Sequence, residues 1–188
     1  MKNLLVLPML TLGVAVISSA CGPSTGTTSS AAGSATGTVG GVSLGVQDAF
    51  FANGVTTGTV VGVTSFSGAC ETLYSSKRYP RSSVGLSLQL IAYEGGGPAG
   101  PVTAPGTFAL LGTSVGGDTF GASWDSVDGS CGDTTTQATG GTVTVTAVTA
   151  SQLTGTFDLT FGGDHVTGSF SATDCAAAAG SQGNPTCS

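Results

Sequence analysis

The clearest regularity along the chain is an alternation of apolar and polar positions with period two. Leu153, Gly155, Phe157, Leu159 and Phe161 alternate with Thr154, Thr156, Asp158 and Thr160. Successive side chains of a strand point to opposite faces, so this segment predicts a strand with one buried face. The pattern pauses at Gly162-Gly163-Asp164, residues that suit positive φ in a tight turn, and resumes with Val166, Gly168, Phe170 and Ala172. These two segments predict a hairpin. Upstream, Val143, Val145 and Ala147 alternate with Thr142, Thr144 and Thr146, which adds a third strand and makes a meander. Weaker alternation over Val42–Phe50, Thr59–Phe66, Val84–Ala92, Thr107–Leu111 and Phe120–Ser126 brings the expectation to about eight strands. A single helical turn is expected over Glu71 to Ser76, after Cys70. Thirty-two glycines among 188 residues, with abundant threonine, fit a turn-rich β chain better than a helical one. Strands apolar on one face must bury it against a second layer. The expected fold is therefore all-β, an antiparallel sandwich or barrel over residues 39–175.

The first residues follow a different pattern. Lys2 precedes an apolar run from Leu4 to Ile17, too short to span a bilayer, and Ser18-Ser19-Ala20 are small. These features predict a secretory signal peptide over residues 1–20. Small residues followed by Cys21 resemble the lipobox of bacterial lipoproteins, although Ser18 stands where that family favours leucine. The resemblance implies that the Cys21 thiol receives a diacylglycerol and that the chain is cut just before it. The same small residues would suit an ordinary signal peptidase, which leaves a secreted soluble protein as the alternative. In the lipoprotein family an aspartate after the cysteine retains the protein in the inner membrane. Gly22 stands there instead, so the resemblance implies the outer membrane. Residues 22–37 are almost entirely Gly, Ser, Thr and Ala, and with Cys21 they read as a lipidated, flexible tether over 21–38. Such a tether reaches roughly 20–24 Å.

Cysteine parity bears on the same point. An exported chain seldom leaves a thiol unpaired, and this one has five cysteines. Lipidation of Cys21 leaves Cys70, Cys131, Cys175 and Cys187, which form two bridges in one of three pairings that sequence does not separate. The working expectation is Cys70–Cys131 with Cys175–Cys187, and residues 176–188 as a C-terminal loop hanging on Cys187.

Cleavage removes Lys2 and leaves Lys77, Arg78 and Arg81 against ten acidic residues, a net charge of −7. Nucleic acid is excluded as a partner on this balance, and so is electrostatic docking on anionic lipid, because both need clustered positive charge. Attachment to a membrane would rest on the acyl chains.

Motifs with chemical content are few. Gly41-Val42-Ser43-Leu44-Gly45 matches G-x-S-x-G but sits in an expected strand rather than at a strand-to-helix turn. Gly95 to Gly100 matches G-x-G-x-x-G, yet Pro98 and Pro101 forbid the helix that would hold a pyrophosphate, so a loop is expected there. His165 is the sole histidine and falls in an expected turn, which leaves no His-based catalytic set and no zinc ligand set. Asp125, Asp128 and Asp133 could converge on calcium, but the order of an EF-hand loop is absent. No cofactor, no metal and no catalytic residue is therefore expected.

One segment is compositionally uneven. Tyr74, Lys77, Arg78, Tyr79 and Arg81 gather every basic residue of the mature chain beside two tyrosines. Arg and Tyr are enriched at interfaces, so this loop is the candidate contact surface, for an acidic or carbohydrate partner. The functional expectation is a membrane-anchored, non-catalytic envelope or binding module. The alternatives are a carrier of small apolar ligands in a lipocalin-like barrel, a structural envelope protein and, last, a hydrolase.

Overall fold

The computed structural model describes residues 32–54, 58–94, 97–111, 117–178 and 185–188. The expected signal peptide, Cys21 and the tether through residue 31 lie outside them. Thirteen strands occur among the described residues: β1 (Gly33–Gly37), β2 (Asp48–Asn53), β3 (Thr59–Thr64), β4 (Arg78–Tyr79), β5 (Ser83–Glu94), β6 (Gly97–Gly100), β7 (Gly106–Leu110), β8 (Thr119–Val127), β9 (Asp133–Gln137), β10 (Gly140–Val148), β11 (Gln152–Phe161), β12 (Asp164–Asp174) and β13 (Thr186–Cys187).

Eight of them close into a barrel in the order β2-β3-β5-β8-β7-β10-β11-β12, with β12 returning to β2. Of the two architectures open to the sequence, the barrel is the one formed. Closure is completed by sharing edges. Along one edge of β12, β1 pairs antiparallel with Val166–Phe170 and β2 pairs parallel with Thr173 and Asp174. Along one edge of β8, β7 pairs parallel with Thr119 and Phe120, and β9 pairs antiparallel with Ser123–Val127. Each of these parallel ladders is only two residues long.

The alternation drives the packing. Inward positions carry Val61 and Val63, Leu86, Leu88 and Leu90, Phe120 and Trp124, Val143 and Val145, Leu153, Phe157 and Leu159, all buried. An eight-stranded barrel is just wide enough for side chains to fill it, and burying each large apolar side chain contributes roughly 1.5–3 kcal/mol. Glycines take part in this filling. Phe157 stands directly opposite Gly168 and Phe170 opposite Gly155. A Cβ on Gly168 would lie 2.4 Å from the Phe157 ring, and one on Gly155 2.5 Å from the Phe170 ring. Trp124 packs edge-on to Phe161, with ring centroids 6.0 Å apart, and its indole nitrogen is buried without a protein acceptor.

The β11–β12 hairpin forms as the sequence predicts, with Gly162 at φ +65° in the turn. Several expectations need correction. Residues 33–37, assigned above to the tether, form β1, whose backbone satisfies the part of the β12 edge that β2 does not reach. The strand expected over Val42–Phe50 begins only at Asp48. Before it, Val39 and Val42 exchange two backbone hydrogen bonds of 3.0 Å around Gly40 and Gly41, both at positive φ. Within the expected loop over Gly95–Gly100, residues 97–100 pair with β5 as β6. The tail is more than a loop, because Ala178 is buried and β13 pairs in parallel with β4.

The cysteines pair as Cys70–Cys175 and Cys131–Cys187, not as expected. Barrel closure explains it. The parallel β12–β2 contact carries Cys175 past Phe51, whose carbonyl accepts the Cys175 N–H at 2.8 Å, and this brings it beside the Cys70 segment. The β13–β4 pairing in turn holds Cys187 over the β8–β9 turn that contains Cys131. Both bridges span a Cα separation of 5.6 Å.

A groove beneath a disulfide-clasped arm

The segment from Ser65 to Ser82 leaves the barrel as an arm and returns across the outer faces of β2, β3, β5 and β8. Asp48 Oδ2 accepts the Ala69 N–H at 2.8 Å at its start, where Cys70 is bridged to Cys175. The expected helical turn follows, as a π-helical turn over Glu71–Ser75 that buries Leu73. Lys77 and Ser82, both at φ +53°, bend the backbone before and after β4. The Lys77 carbonyl accepts the Thr186 N–H at 3.0 Å, and Ser83 Oγ donates to the Pro80 carbonyl.

A second apolar cluster fixes the arm to the wall: Phe50, Ala52, Ala69, Leu73, Cys175 and Ala178. Phe50 points outward because Ala49 and Phe51 point into the barrel. It lies across Gly62, its partner on β3, where a Cβ would meet the ring at 2.3 Å. Tyr79 lies across Gly85 in the same manner, with its hydroxyl 2.5 Å from the place of a Cβ. Glycine in the interior of a strand marks such a close approach. Tyr74 sits edge-on to Phe50 at 5.6 Å and Tyr79 edge-on to Phe66 at 5.8 Å.

The candidate loop residues therefore divide by direction. Tyr74 and Tyr79 face the barrel, Arg78 and Arg81 are exposed, and Lys77 is half-buried. Under the tyrosines runs a groove. Its floor is one rank of paired residues, Thr64, Gly85, Asp125 and Thr135, from β3, β5, β8 and β9. A cavity of about 590 Å³ opens along it, and a contiguous one of about 270 Å³ lies towards the Cys131–Cys187 bridge. Tyr79, Asp125, Asp133, Thr135 and Pro185 line both. Asp125 accepts from Thr135 Oγ1 at 2.6 Å and from Ser123 Oγ at 3.0 Å. Burial pushes the Tyr79 phenol up to about 12, with the nearby Asp125 carboxylate adding to the shift. Burial also raises Tyr74.

The other sequence candidates are not gathered into a site. Asp128 turns back on its own loop, its Oδ1 accepting the Ser130 and Gly132 N–H groups at 2.7 and 2.8 Å. Asp125 is held by the two hydroxyls of the groove. No group of three His, Cys, Asp or Glu side chains able to share a metal occurs among the described residues. Ser43 is exposed in the loop before β2. His165 lies at the start of β12, exposed, with its Nε2 2.7 Å from Asp158 Oδ1.

Sequence reasoning found the arm through its composition and missed the groove floor. Asp125 and Asp133 stood out in sequence only as carboxylates of one acidic loop, and Gly85 only as a glycine inside a strand pattern, because the pairings that bring them together with Thr135 under the arm are not encoded in composition. No protein-family model, curated protein or solved structure matches the chain.

Proposed function

We propose that the chain is a lipid-anchored envelope protein of the bacterial lipoprotein type, carrying a non-catalytic binding module that engages its partner through the arm. The carrying observation is that Cys70, Cys131, Cys175 and Cys187 are all consumed in pairing with one another. Cys21 is thus the odd cysteine, which is what thioether attachment to diacylglycerol requires. Globomycin should block maturation, and mass spectrometry of the mature amino terminus should find an acylated Cys21. A product that partitions wholly into the aqueous phase of a Triton X-114 extraction would overturn the anchor and the outer-membrane address, leaving a secreted protein.

The binding part of the reading is supported by the shape of the arm. Its tyrosines are spent on anchoring and on the groove, whereas Arg78 and Arg81 stand exposed on a backbone held by the Cys70–Cys175 bridge and by the pairing of β4 with β13, so little order is lost when a partner docks. Replacing Lys77, Arg78 and Arg81 together by serine should abolish capture of an envelope partner, acidic protein or carbohydrate, and leave the melting temperature unchanged. Retained capture would reject the arm. The side chains that fill the barrel speak against a lipocalin-like carrier, whose ligand would need that volume. A hydrolase would have to lose activity on Ser43→Ala; we expect that variant to behave as the parent chain.

A further inference from the structure

We infer that the groove beneath the arm is a binding site for a small organic cation, an ammonium group on an aliphatic stem, with Asp125 and Asp133 as its counter-charges and Tyr74 and Tyr79 as its aromatic walls. This rests on the reading of the domain as a binding module, but not on the exposed arginines.

Volume comes first. About 590 Å³ falls within the range of roughly 300–1,000 Å³ typical of small-molecule sites, and the groove lies outside a barrel whose own interior is packed. Charge comes second. The described residues that line the two cavities include Asp125 and Asp133 and no lysine or arginine. Arg78 and Arg81, although close in sequence to Tyr79, are exposed and line neither. The carboxylates do not stand alone, because two tyrosine rings share the larger cavity with them. Each ring is braced by a phenylalanine on its edge, so neither need be ordered when a ligand arrives. A cation over such a ring is attracted by its quadrupole while a carboxylate neutralises it.

Asp125 is prepared for that role. Ser123 and Thr135 each donate a hydroxyl to it, which fixes its direction, and a carboxylate has further lone pairs to offer. The raised Tyr79 phenol is consistent with an electronegative groove, since Asp125 contributes to that shift. A polyanion would meet only repulsion here. A neutral sugar could use the hydroxyls but would leave the charges unanswered.

The test is calorimetric titration of the full mature protein, disulfides intact and in detergent, with choline, spermidine and maltotriose. Choline or spermidine should saturate at about 1 mM or tighter, and maltotriose should not. Asp125→Asn should weaken the cation about tenfold. Asp133→Asn, at an exposed position at the start of β9, provides the same reading if Asp125→Asn disturbs the arm. Raising salt tenfold should weaken binding by about threefold. Saturation by maltotriose alone, or cation binding unmoved by both variants, would overturn the inference. If no probe saturates while the serine-substituted arm still loses its captured partner, the cation site falls and the binding module stands; if neither effect is found, both fall.

Discussion

The two sides of the barrel are built from the same alternating strands and finish differently. On β10, β11, β12 and β1 the outward positions carry short hydroxyls. Thr144, Thr156, Ser169 and Ser34 form one paired rank, extended by Thr107 of β7. Ser34 and Ser169 lie 3.0 Å apart and Thr146 and Thr154 3.1 Å apart, so hydroxyls of this face bond to one another across neighbouring strands. On β2, β3 and β5 the outward positions include Phe50, which begins a second layer, and Gly62 and Gly85, which leave room for its rings. The contrast teaches that a closed barrel completes its own core and needs no further cover. A second layer on its outer wall must be held by its own devices.

Those devices are the disulfides, and removing one should have the largest effect. Cys70→Ser with Cys175→Ser opens a loop of 105 residues, for which chain entropy predicts a loss of about 4.7 kcal/mol in urea denaturation. Trypsin should then cut after Lys77, Arg78 or Arg81, and hydrogen exchange in β10–β12 should speed up by no more than the lost global stability requires. If the barrel strands lose protection together with the arm, the two sides are one cooperative unit and the contrast fails.

A smaller effect distinguishes the glycines. Gly62→Ala drives a methyl into the Phe50 ring and should cost about 1–3 kcal/mol by overpacking. Gly163→Ala, in the β11–β12 turn with open space around it, should be neutral or stabilising by up to about 1 kcal/mol. Equal losses in thermal unfolding would show that glycine serves both sides alike.

The same division governs what could be read from sequence. The β11–β12 hairpin was legible because Phe157 and Phe170 sit in unbroken alternation and Gly162 marks the turn. β1 was not legible, because Ser34 and Thr36 flank a single inward alanine, and what makes the segment a strand is the open edge of β12. The disulfide pairing was hidden for the same reason. Cys175 meets Cys70 only after β12 has closed against β2, a contact of two residue pairs. For the site, composition exposed the arm, while the counter-charges in the groove wait on the β5–β8 ladder that sets Asp125 opposite Gly85.

Alkaline titration probes the covered side alone. Tyr79 is raised from 10.0 to about 12, so between those values the folded protein keeps a proton that the unfolded chain has released. Stability should fall as pH rises through that window and be unaffected by this group below it. Tyr79→Phe should remove that part of the slope, read by urea midpoints at pH 9 and about pH 11. An unchanged slope would mean that the phenol is as solvated as the threonines of the opposite face.

The smallest effect is the sharpest test of the contrast, because it compares two threonines at exposed positions. Thr156 stands on the hydroxyl face between Thr144 and Ser169, and replacing it with valine keeps the shape and a residue well suited to strands. The change should lie within about 0.5 kcal/mol, as is usual for surface substitutions. Thr135 is also exposed, but its hydroxyl donates to Asp125 at 2.6 Å, and a bond to a charged group contributes about 1.5–3 kcal/mol. Solvent access reduces that figure, so Thr135→Val should cost about 1 kcal/mol. If the two valines prove equally neutral, Asp125 does not depend on its hydroxyl donors. If Thr156→Val instead costs more than 1 kcal/mol, the uncovered face is a structural lattice in its own right, not a solvated wall.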